Sequence, residues 1–120
     1  FAMIETRDAV SNLDEILAVP ELHGTYVGPT DLALSYGKPA TLDPTDPEIL
    51  ELMRMIADKT LRAGKIPGSH TDSAKTALKR FEDGYRFCTL LNDVRVLAAA
   101  VGNMVREARG LAKVEGPKSY

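Results

Sequence analysis

Short, largely apolar runs alternate with longer stretches of helical periodicity along the whole 120-residue chain. The runs FAMI, TYV, KIPG and YRFCTLL begin at residues 1, 25, 65 and 85, and such runs are typical of strands buried in a parallel sheet. Each is followed by a segment that places apolar residues three or four positions apart, which predicts a helix. The predicted order is β-α-β-α-β-α-β-α, with connections short enough for right-handed parallel crossovers.

Capping residues indicate where the helices begin and end. Thr6 predicts the start of one continuous helix that ends before Pro20, and the Asp46-Pro47 pair predicts the start of another. Asn92 predicts the cap of a long last helix. A further cap lies at residue 72 or 73. Besides the helix that begins at Thr6, these signals predict three helices, over residues 47–63, 73–81 and 93–113. One further helical turn is predicted within residues 30–37.

Four βα units in this length favour half of a (β/α)8 TIM barrel, an α/β fold with parallel strands. A small doubly wound sheet is the alternative, but it would be favoured by a Gly-rich phosphate loop, and the sequence has no GxGxxG pattern. We expect residues 1–113 to form the half-barrel and residues 114–120 to form a flexible tail. The chain begins with a phenylalanine and a strand at once, so we expect it to be cut from a longer barrel.

Composition excludes several classes of protein. The fifteen basic residues are scattered and the net charge is −2, which argues against a nucleic-acid surface. No apolar run approaches the roughly 18 residues of a membrane helix. The single cysteine, Cys88, cannot form an internal disulfide, so we expect a reducing, cytoplasmic location and an inert thiol in a strand.

Two carboxylates follow the first two predicted strands. Glu5 comes directly after the first strand, and Asp31 follows the Gly28-Pro29 pair that ends the second. Because the carboxyl ends of neighbouring parallel strands lie about 4.8 Å apart, the two acids should meet at one rim of the sheet. Such a pair suits a divalent cation with oxygen ligands, Mg²⁺, Mn²⁺ or Co²⁺, although acids at strand ends also serve as helix caps.

The segments MIET, VGPTDLALSYGKP, GSHT and TLLNDVRVLAAA, in this order, resemble the C-terminal half of the HpcH/HpaI aldolase family. The resemblance covers roughly residues 1–111. It implies a metal-dependent pyruvate aldolase that cleaves 4-hydroxy-2-oxo acids to pyruvate and a small aldehyde. It also implies a homo-oligomer, because the last helix of the related barrels packs between subunits.

The resemblance assigns residues to the site. It implies that Glu5 and Asp31 bind the divalent metal and that the backbone of residues 28–31 (Gly28, Pro29, Thr30 and Asp31) surrounds the pyruvate carboxylate. His70, in GSHT, is a further candidate for lining the substrate pocket, with a plain loop histidine as the alternative.

The sequence departs from the family pattern at two points. Many members carry a glutamine where this chain has Met3, so one contact to the substrate is missing. The family's pyruvate-binding arginine and its histidine–acid pair for proton transfer belong to the first half of the barrel, which these residues do not match. Two alternatives therefore stay open, a non-catalytic half-barrel that associates with itself and a lyase acting on CoA thioesters.

Overall fold

Four parallel strands, paired in chain order β1-β2-β3-β4, form the sheet of the computed structural model, which describes residues 1–112. The strands are β1 (Ala2–Ile4), β2 (Gly24–Val27), β3 (Ile66–Thr71) and β4 (Phe87–Leu90). The helices are α1 (Arg7–Ser11), α2 (Leu13–Leu17), α3 (Pro29–Ser35), α4 (Pro47–Arg62), α5 (Ala74–Glu82) and α6 (Asp93–Ala108).

The two faces of the sheet have different surroundings. Ile4 and Val27 are paired in register and fully buried, in one core with residues of α4. On each strand, the residue before this buried row lies on the other face of the sheet. There the side chains of Met3 and Phe87 are 49% and 43% exposed. We call this second face, defined by the register row Met3, Tyr26, Gly68 and Phe87, the open face. Sequential strand order with one covered face is the arrangement of a barrel, whereas a doubly wound sheet covers both faces, so the predicted half-barrel is confirmed.

Helix α4 is the centre of the core. Its inner positions are fully or almost fully buried at Ile49, Met53 and Ile56. The helix is tied to its surroundings by buried hydrogen bonds: the Tyr85 hydroxyl donates to the Met53 carbonyl at 2.9 Å, and the Thr25 and Thr60 hydroxyls lie 2.9 Å apart. These bonds hold β2 and the turn before β4 against one helix, and so fix the relative positions of the strand ends.

Several predicted boundaries were wrong. The single helix expected after Thr6 is broken at Asn12 into α1 and α2, because the backbone at Asn12 leaves helical geometry (φ −97°, ψ 13°). The third strand does not stop at Gly68 but continues to Thr71. Its extra polar residues are satisfied within the sheet, since the Thr71 hydroxyl donates to the Thr89 carbonyl at 2.8 Å.

Helix α6 ends at Ala108, not at residue 113, and none of its residues is buried. Its apolar positions were expected to face a core or another subunit. Within residues 1–112 they face no core, since Val94, Leu97 and Met104 are 65–70% exposed. The predicted tail, residues 114–120, lies outside the described residues. No helix within residues 1–112 has both the length and the apolar character required to cross a membrane.

Candidate metal and substrate site

A cavity of about 270 Å³ lies at the carboxyl ends of β1, β2 and β3. Glu5, Asp31 and His70 all contribute to its lining, together with the backbone turn between β2 and α3. The turn consists of Gly28, Pro29, Thr30 and Asp31, and all four residues line the cavity. The residues predicted for the site from the sequence are therefore brought to one place by the strand order.

Glu5 and Gly28 face each other across β1 and β2. A Cβ atom built on Gly28 would lie 2.5 Å from Oε2 of Glu5, which is closer than any real contact of this kind. Gly28 has an ordinary backbone conformation (φ −94°, ψ 94°), so a side chain here would be opposed by space and not by backbone strain, and the Glu5 carboxylate would have to move aside. The absence of a side chain at Gly28 lets the Glu5 carboxylate lie against the turn that leads to Asp31.

The electrostatics of the site favour a cation. Burial, and secondarily the negative charge of Asp31, raise the pKa of the Glu5 carboxyl above its ordinary value. Within residues 1–112 neither Glu5 nor Asp31 forms an ion pair with a basic side chain. Two close carboxylates without a counter-charge are a donor set that fits a hard divalent cation.

The described residues contain no cluster of three or more His, Cys, Asp or Glu side chains placed to hold a metal. A site with only two protein carboxylates fits Mg²⁺ or Mn²⁺, which keep several positions for water and substrate oxygens. A closed structural zinc site, with four protein ligands, does not fit these residues.

The turn that carries Asp31 is also the start of helix α3. Pro29 occupies the first helical position, where its missing N–H costs no hydrogen bond, and Leu32 N–H donates to the Gly28 carbonyl at 2.9 Å. The N–H groups of Thr30 and Asp31 lie in the first turn of α3, where no carbonyl of the same helix can accept from them. They lie beside the cavity that Glu5 also lines.

His70 lies within β3 on the same side of the sheet as Gly68, and not in a loop after the strand as the sequence predicted. Its Nδ1 is 2.8 Å from the Thr89 hydroxyl and 3.2 Å from the Tyr26 hydroxyl. Burial, and secondarily the positive charge of Arg95, lower the pKa of His70. The imidazole is therefore an ordered, neutral group at the edge of the cavity at pH 7.

A second cavity of about 240 Å³ adjoins the first, and Thr30, Asp31, Leu42 and His70 line both. Arg95, at the start of α6, lines the second cavity only. Together the cavities present Glu5 in the first, Arg95 in the second and Asp31 in both. The arrangement suits an elongated substrate with a metal-binding end.

The loop over residues 38–46 brings Leu42 to both cavities, and ion pairs hold this loop in place. Lys38 Nζ lies 3.0 Å from carboxylate oxygens of both Asp46 and Glu48. Hydrogen bonds to these two carboxylates raise the pKa of Lys38. Lys79 pairs with Asp43 at 2.9 Å. The loop is thus anchored to α4 and α5, the helices on the covered face.

Sequence reasoning missed several residues around these cavities, among them Tyr26, Leu42, Thr89 and Arg95. Tyr26 and Thr89 were counted only as strand residues. The alternation of side chains along a strand could have placed both on the face of Glu5 and His70. Leu42 and Arg95 belong to segments whose position depends on tertiary packing, and no sequence signal marks them.

Several other polar groups have structural roles. Arg7, exposed in the first turn of α1, pairs with no rim carboxylate: its Nε donates to the Ser35 carbonyl at 2.8 Å and its guanidinium stacks over Tyr36. Burial raises the pKa of the Cys88 thiol, consistent with an inert residue. A depression of about 420 Å³ between α2 and α4 has its Asp14 and Lys59 already paired at 2.7 Å.

Half of an α/β barrel with a carboxylate pair at its strand ends defines the class of this protein. Residues 1–99 match the model of one family, described as HpcH/HpaI aldolase/citrate lyase. The chain belongs to the HpcH/HpaI aldolase/citrate lyase family, and the resemblance seen in the sequence is confirmed.

Individual relatives agree with this assignment. The chain is 36% identical over 110 residues to a hydroxypyruvate/pyruvate aldolase of Rhizorhabdus wittichii, covering 92% of this chain and 44% of that protein. It is 33% identical over 117 residues to a 4-hydroxy-2-oxo-heptane-1,7-dioate aldolase of Shigella sonnei, covering 98% and 44%. The chain therefore spans less than half the length of these curated relatives.

Solved structures show the same fold. An HpcH/HpaI aldolase from Desulfitobacterium hafniense superposes with a TM-score of 0.81 at 26% identity, covering 92% of this chain and 42% of that one. Macrophomate synthase superposes with a TM-score of 0.76 at 29% identity, covering 90% and 37%. The four βα units described here correspond to about two fifths of each neighbour.

Proposed function

We propose that this chain forms the metal-binding half of the active site of a divalent-metal-dependent aldolase. The parent reaction is the cleavage of a 4-hydroxy-2-oxo acid to pyruvate and an aldehyde. The observation that carries the proposal is the meeting of Glu5 and Asp31 at one cavity, without a basic partner among residues 1–112, in a chain of an aldolase/lyase family.

Glu5 and Asp31 would hold the cation, Mg²⁺, Mn²⁺ or Co²⁺, and Gly28 provides the space in which the Glu5 carboxylate reaches it. When bound, the cation polarises the oxo group of the substrate and offsets the negative charge of the pyruvate enolate. Burial, and secondarily the negative charge of Asp31, raise the pKa of Glu5 in the metal-free chain, and a cation bound by both carboxylates would offset the repulsion between them.

The N–H groups of Thr30 and Asp31 are placed to bind the pyruvate carboxylate. They lie in the first turn of α3, beside the carboxylate pair, where helix geometry leaves them without an acceptor in that helix. Pro29 has no N–H, and its role would be to fix the entry of the chain into the helix. A pyruvate end held by this turn points the rest of the substrate toward His70 and the second cavity.

In the cleavage step the C3–C4 bond of the substrate breaks and its electron pair moves to C3, which gives the enolate of pyruvate. The C4 hydroxyl loses its proton as it becomes the aldehyde carbonyl. By the family resemblance, the group that accepts this proton belongs to the first half of the barrel, which this chain does not span. Turnover by this chain therefore requires that half to be supplied by another polypeptide segment or subunit.

The open face favours self-association as a second property. Phe1, Met3 and Phe87 expose apolar side chains there, and β1 and β4 are the edge strands of the described sheet. Exposed edges and apolar faces are ordinarily covered in a stable protein. A homo-oligomer that covers this face would combine the metal-binding function with the alternative of a self-associating half-barrel. A clean monomer in sedimentation velocity would contradict this part of the proposal.

The test of the reaction is pyruvate release from 4-hydroxy-2-oxopentanoate by the full chain combined with a second polypeptide that carries the first half of a barrel of this family, with and without Mn²⁺. We expect Mn²⁺-dependent release that is lost in Glu5→Gln and retained in Glu21→Gln, since Glu21 is exposed in the turn before β2. Release that does not depend on metal, or that survives Glu5→Gln, would contradict the proposal. Cleavage of a CoA thioester in place of the oxo acid would support the lyase alternative.

A further inference from the structure

Three polar side chains on neighbouring strands form a closed triangle beside the carboxylate site. Tyr26 on β2, His70 on β3 and Thr89 on β4 lie on one face, with His70 and Thr89 paired in register. The Tyr26 and Thr89 hydroxyls are 2.5 Å apart, and each is also within hydrogen-bond distance of His70 Nδ1. The sequence separations are 44 and 19 residues, so only the sheet brings the three together.

The hydrogen atoms available to this triangle fix the tautomer of the imidazole. If Nδ1 accepts, the Tyr26 hydroxyl donates to Thr89 and the Thr89 hydroxyl donates to Nδ1, and both protons have acceptors. If Nδ1 instead carries a proton, it donates to Thr89, and one of the two hydroxyl protons then has no acceptor within the triangle. A polar proton without an acceptor is costly in a half-buried site, so the first arrangement is favoured.

With Nδ1 engaged in this way, Nε2 is the ring nitrogen that carries the proton. None of the side chains within residues 1–112 accepts a hydrogen bond from Nε2. His70 lines both cavities, and its pKa is lowered by burial and by Arg95, so the imidazole is neutral at pH 7. His70 therefore offers a single N–H donor where the two cavities join.

We infer that Tyr26 and Thr89 hold His70 as the Nε2–H tautomer, and that this N–H donates to an oxygen substituent on the aldehyde-derived part of the substrate. The inference rests on the proposed function, which places the pyruvate end at Glu5 and Asp31 and the aldehyde end beyond His70. It assigns to His70 the discrimination between aldehydes with a hydroxyl or carboxylate next to the carbonyl carbon and plain alkyl aldehydes. His70 contacts the substrate, whereas Tyr26 and Thr89 are positioning residues.

The tautomer can be measured on the full chain without any turnover. In ¹⁵N-labelled protein, long-range ¹H–¹⁵N correlations distinguish the protonated ring nitrogen from the bare one. We expect His70 to show a bare Nδ1 and a protonated Nε2. His23, the only other histidine of the sequence, is exposed and serves as the internal reference. In the double variant Tyr26→Phe/Thr89→Val, which keeps both shapes and removes both hydroxyls that can donate to Nδ1, the His70 signals should move toward a mixture of tautomers while those of His23 stay unchanged.

This role of His70 is tested by aldol addition of pyruvate to two aldehydes of equal size, glycolaldehyde and propanal, catalysed by the chain combined with the first half of the barrel as above. The measured quantity is the ratio of kcat/KM for the two aldehydes, which cancels effects on metal and pyruvate binding. In His70→Asn, whose amide reaches only the Nδ1 position, the preference for glycolaldehyde should fall about three- to tenfold, the value of one hydrogen bond. In His70→Gln, whose amide nitrogen reaches the Nε2 position, the preference should be retained.

Two results would overturn the inference: a protonated Nδ1 in the wild-type chain, or an equal fall of the preference in both variants. Failure to form a carbon–carbon bond with either aldehyde would overturn the proposed function instead. In that case the tautomer, read from the same sample, still decides whether the triangle positions His70 as described.

Discussion

Glu5 Oε2 lies 2.5 Å from the position that a Cβ atom would occupy on Gly28, so the two neighbouring strand ends are in direct contact only because residue 28 has no side chain. The contact joins the residue after β1 to the first residue of the turn that carries Asp31. The geometry of the carboxylate pair therefore depends on a residue that offers no ligand atom itself.

A Gly28→Ala substitution should displace the Glu5 carboxylate and weaken divalent-metal binding about 10- to 100-fold, the usual effect of disturbing the support of a metal ligand. Isothermal titration with Mn²⁺ measures the change. Gly102→Ala is the matched control, because Gly102 lies in α6 with open space around its missing Cβ. Unchanged Mn²⁺ affinity in Gly28→Ala would show that Glu5 does not hold the cation.

The raised pKa of Glu5 predicts that Glu5→Gln changes the stability of the folded chain, and that the direction of the change depends on whether metal is bound. Without metal, the folded chain keeps a proton on Glu5 above the ordinary pKa of 4.5, where the unfolded chain has released it. The free energy of unfolding therefore falls as the pH rises from 4.5 through the raised pKa, and the full cost is present above it. Glu5→Gln should remove this cost, so the metal-free variant should melt at a higher temperature than the wild type at pH 7 and at a similar one below pH 4.

Mn²⁺ should reverse that order. At a concentration one hundred times the dissociation constant, a ligand stabilises the folded state by about 2.7 kcal/mol, and only the wild type would gain it. Thermal melts of both proteins with EDTA and with Mn²⁺ make the comparison. A variant that is less stable than the wild type under both conditions would indicate a structural role for Glu5.

The buried pair Thr25 and Thr60 should respond asymmetrically to loss of its hydroxyls. Thr60 donates to the Ile56 carbonyl at 2.7 Å, so the proton between the two hydroxyls comes from Thr25. Thr60→Val leaves the buried Thr25 hydroxyl without an acceptor and should lower the free energy of unfolding by about 1–3 kcal/mol. Thr25→Val leaves Thr60 bonded to Ile56 and should have the smaller effect.

Urea denaturation of the two single variants and the double variant measures this coupling. The double variant should lose less stability than the sum of the single losses, because no hydroxyl is then left unpaired. Equal losses in the two single variants, or a strictly additive double variant, would contradict the assignment of donor and acceptor.

The architecture was predictable from sequence because its signals are local. The cap at Asn92 and the Asp46-Pro47 helix start are each contained within a few residues, and both were found where expected. Each apolar run overlaps a strand, although the third strand continues beyond its run. The proximity of Glu5 and Asp31 was predictable because Glu5 directly follows one parallel strand and Asp31 lies in the turn after the neighbouring strand. The break at Asn12 could not be predicted, since Asn12 forms no side-chain cap and the apolar spacing continues across it.

The contacts among Tyr26, His70 and Thr89 depend on the register of the strands, which cannot be read from the sequence. Ser69 and Thr71 are fully buried in β3, yet hydropathy ends that strand at Gly68 because both residues are polar. Once the strand is extended, His70 falls opposite Thr89 and beside Tyr26. An error of three residues in one strand boundary therefore hid a three-residue network.

Binding of Mn²⁺ to the purified chain is the measurement that tests the central claim most directly. Wild type, Glu5→Gln, Asp31→Asn and the control Asp8→Asn, an exposed acid of α1, would be titrated and followed by the loss of the free-Mn²⁺ electron paramagnetic resonance signal. We expect one Mn²⁺ per chain for wild type and Asp8→Asn, and at least about tenfold weaker binding for Glu5→Gln and Asp31→Asn. Equal binding by all four proteins would contradict the assignment of Glu5 and Asp31 as the metal ligands.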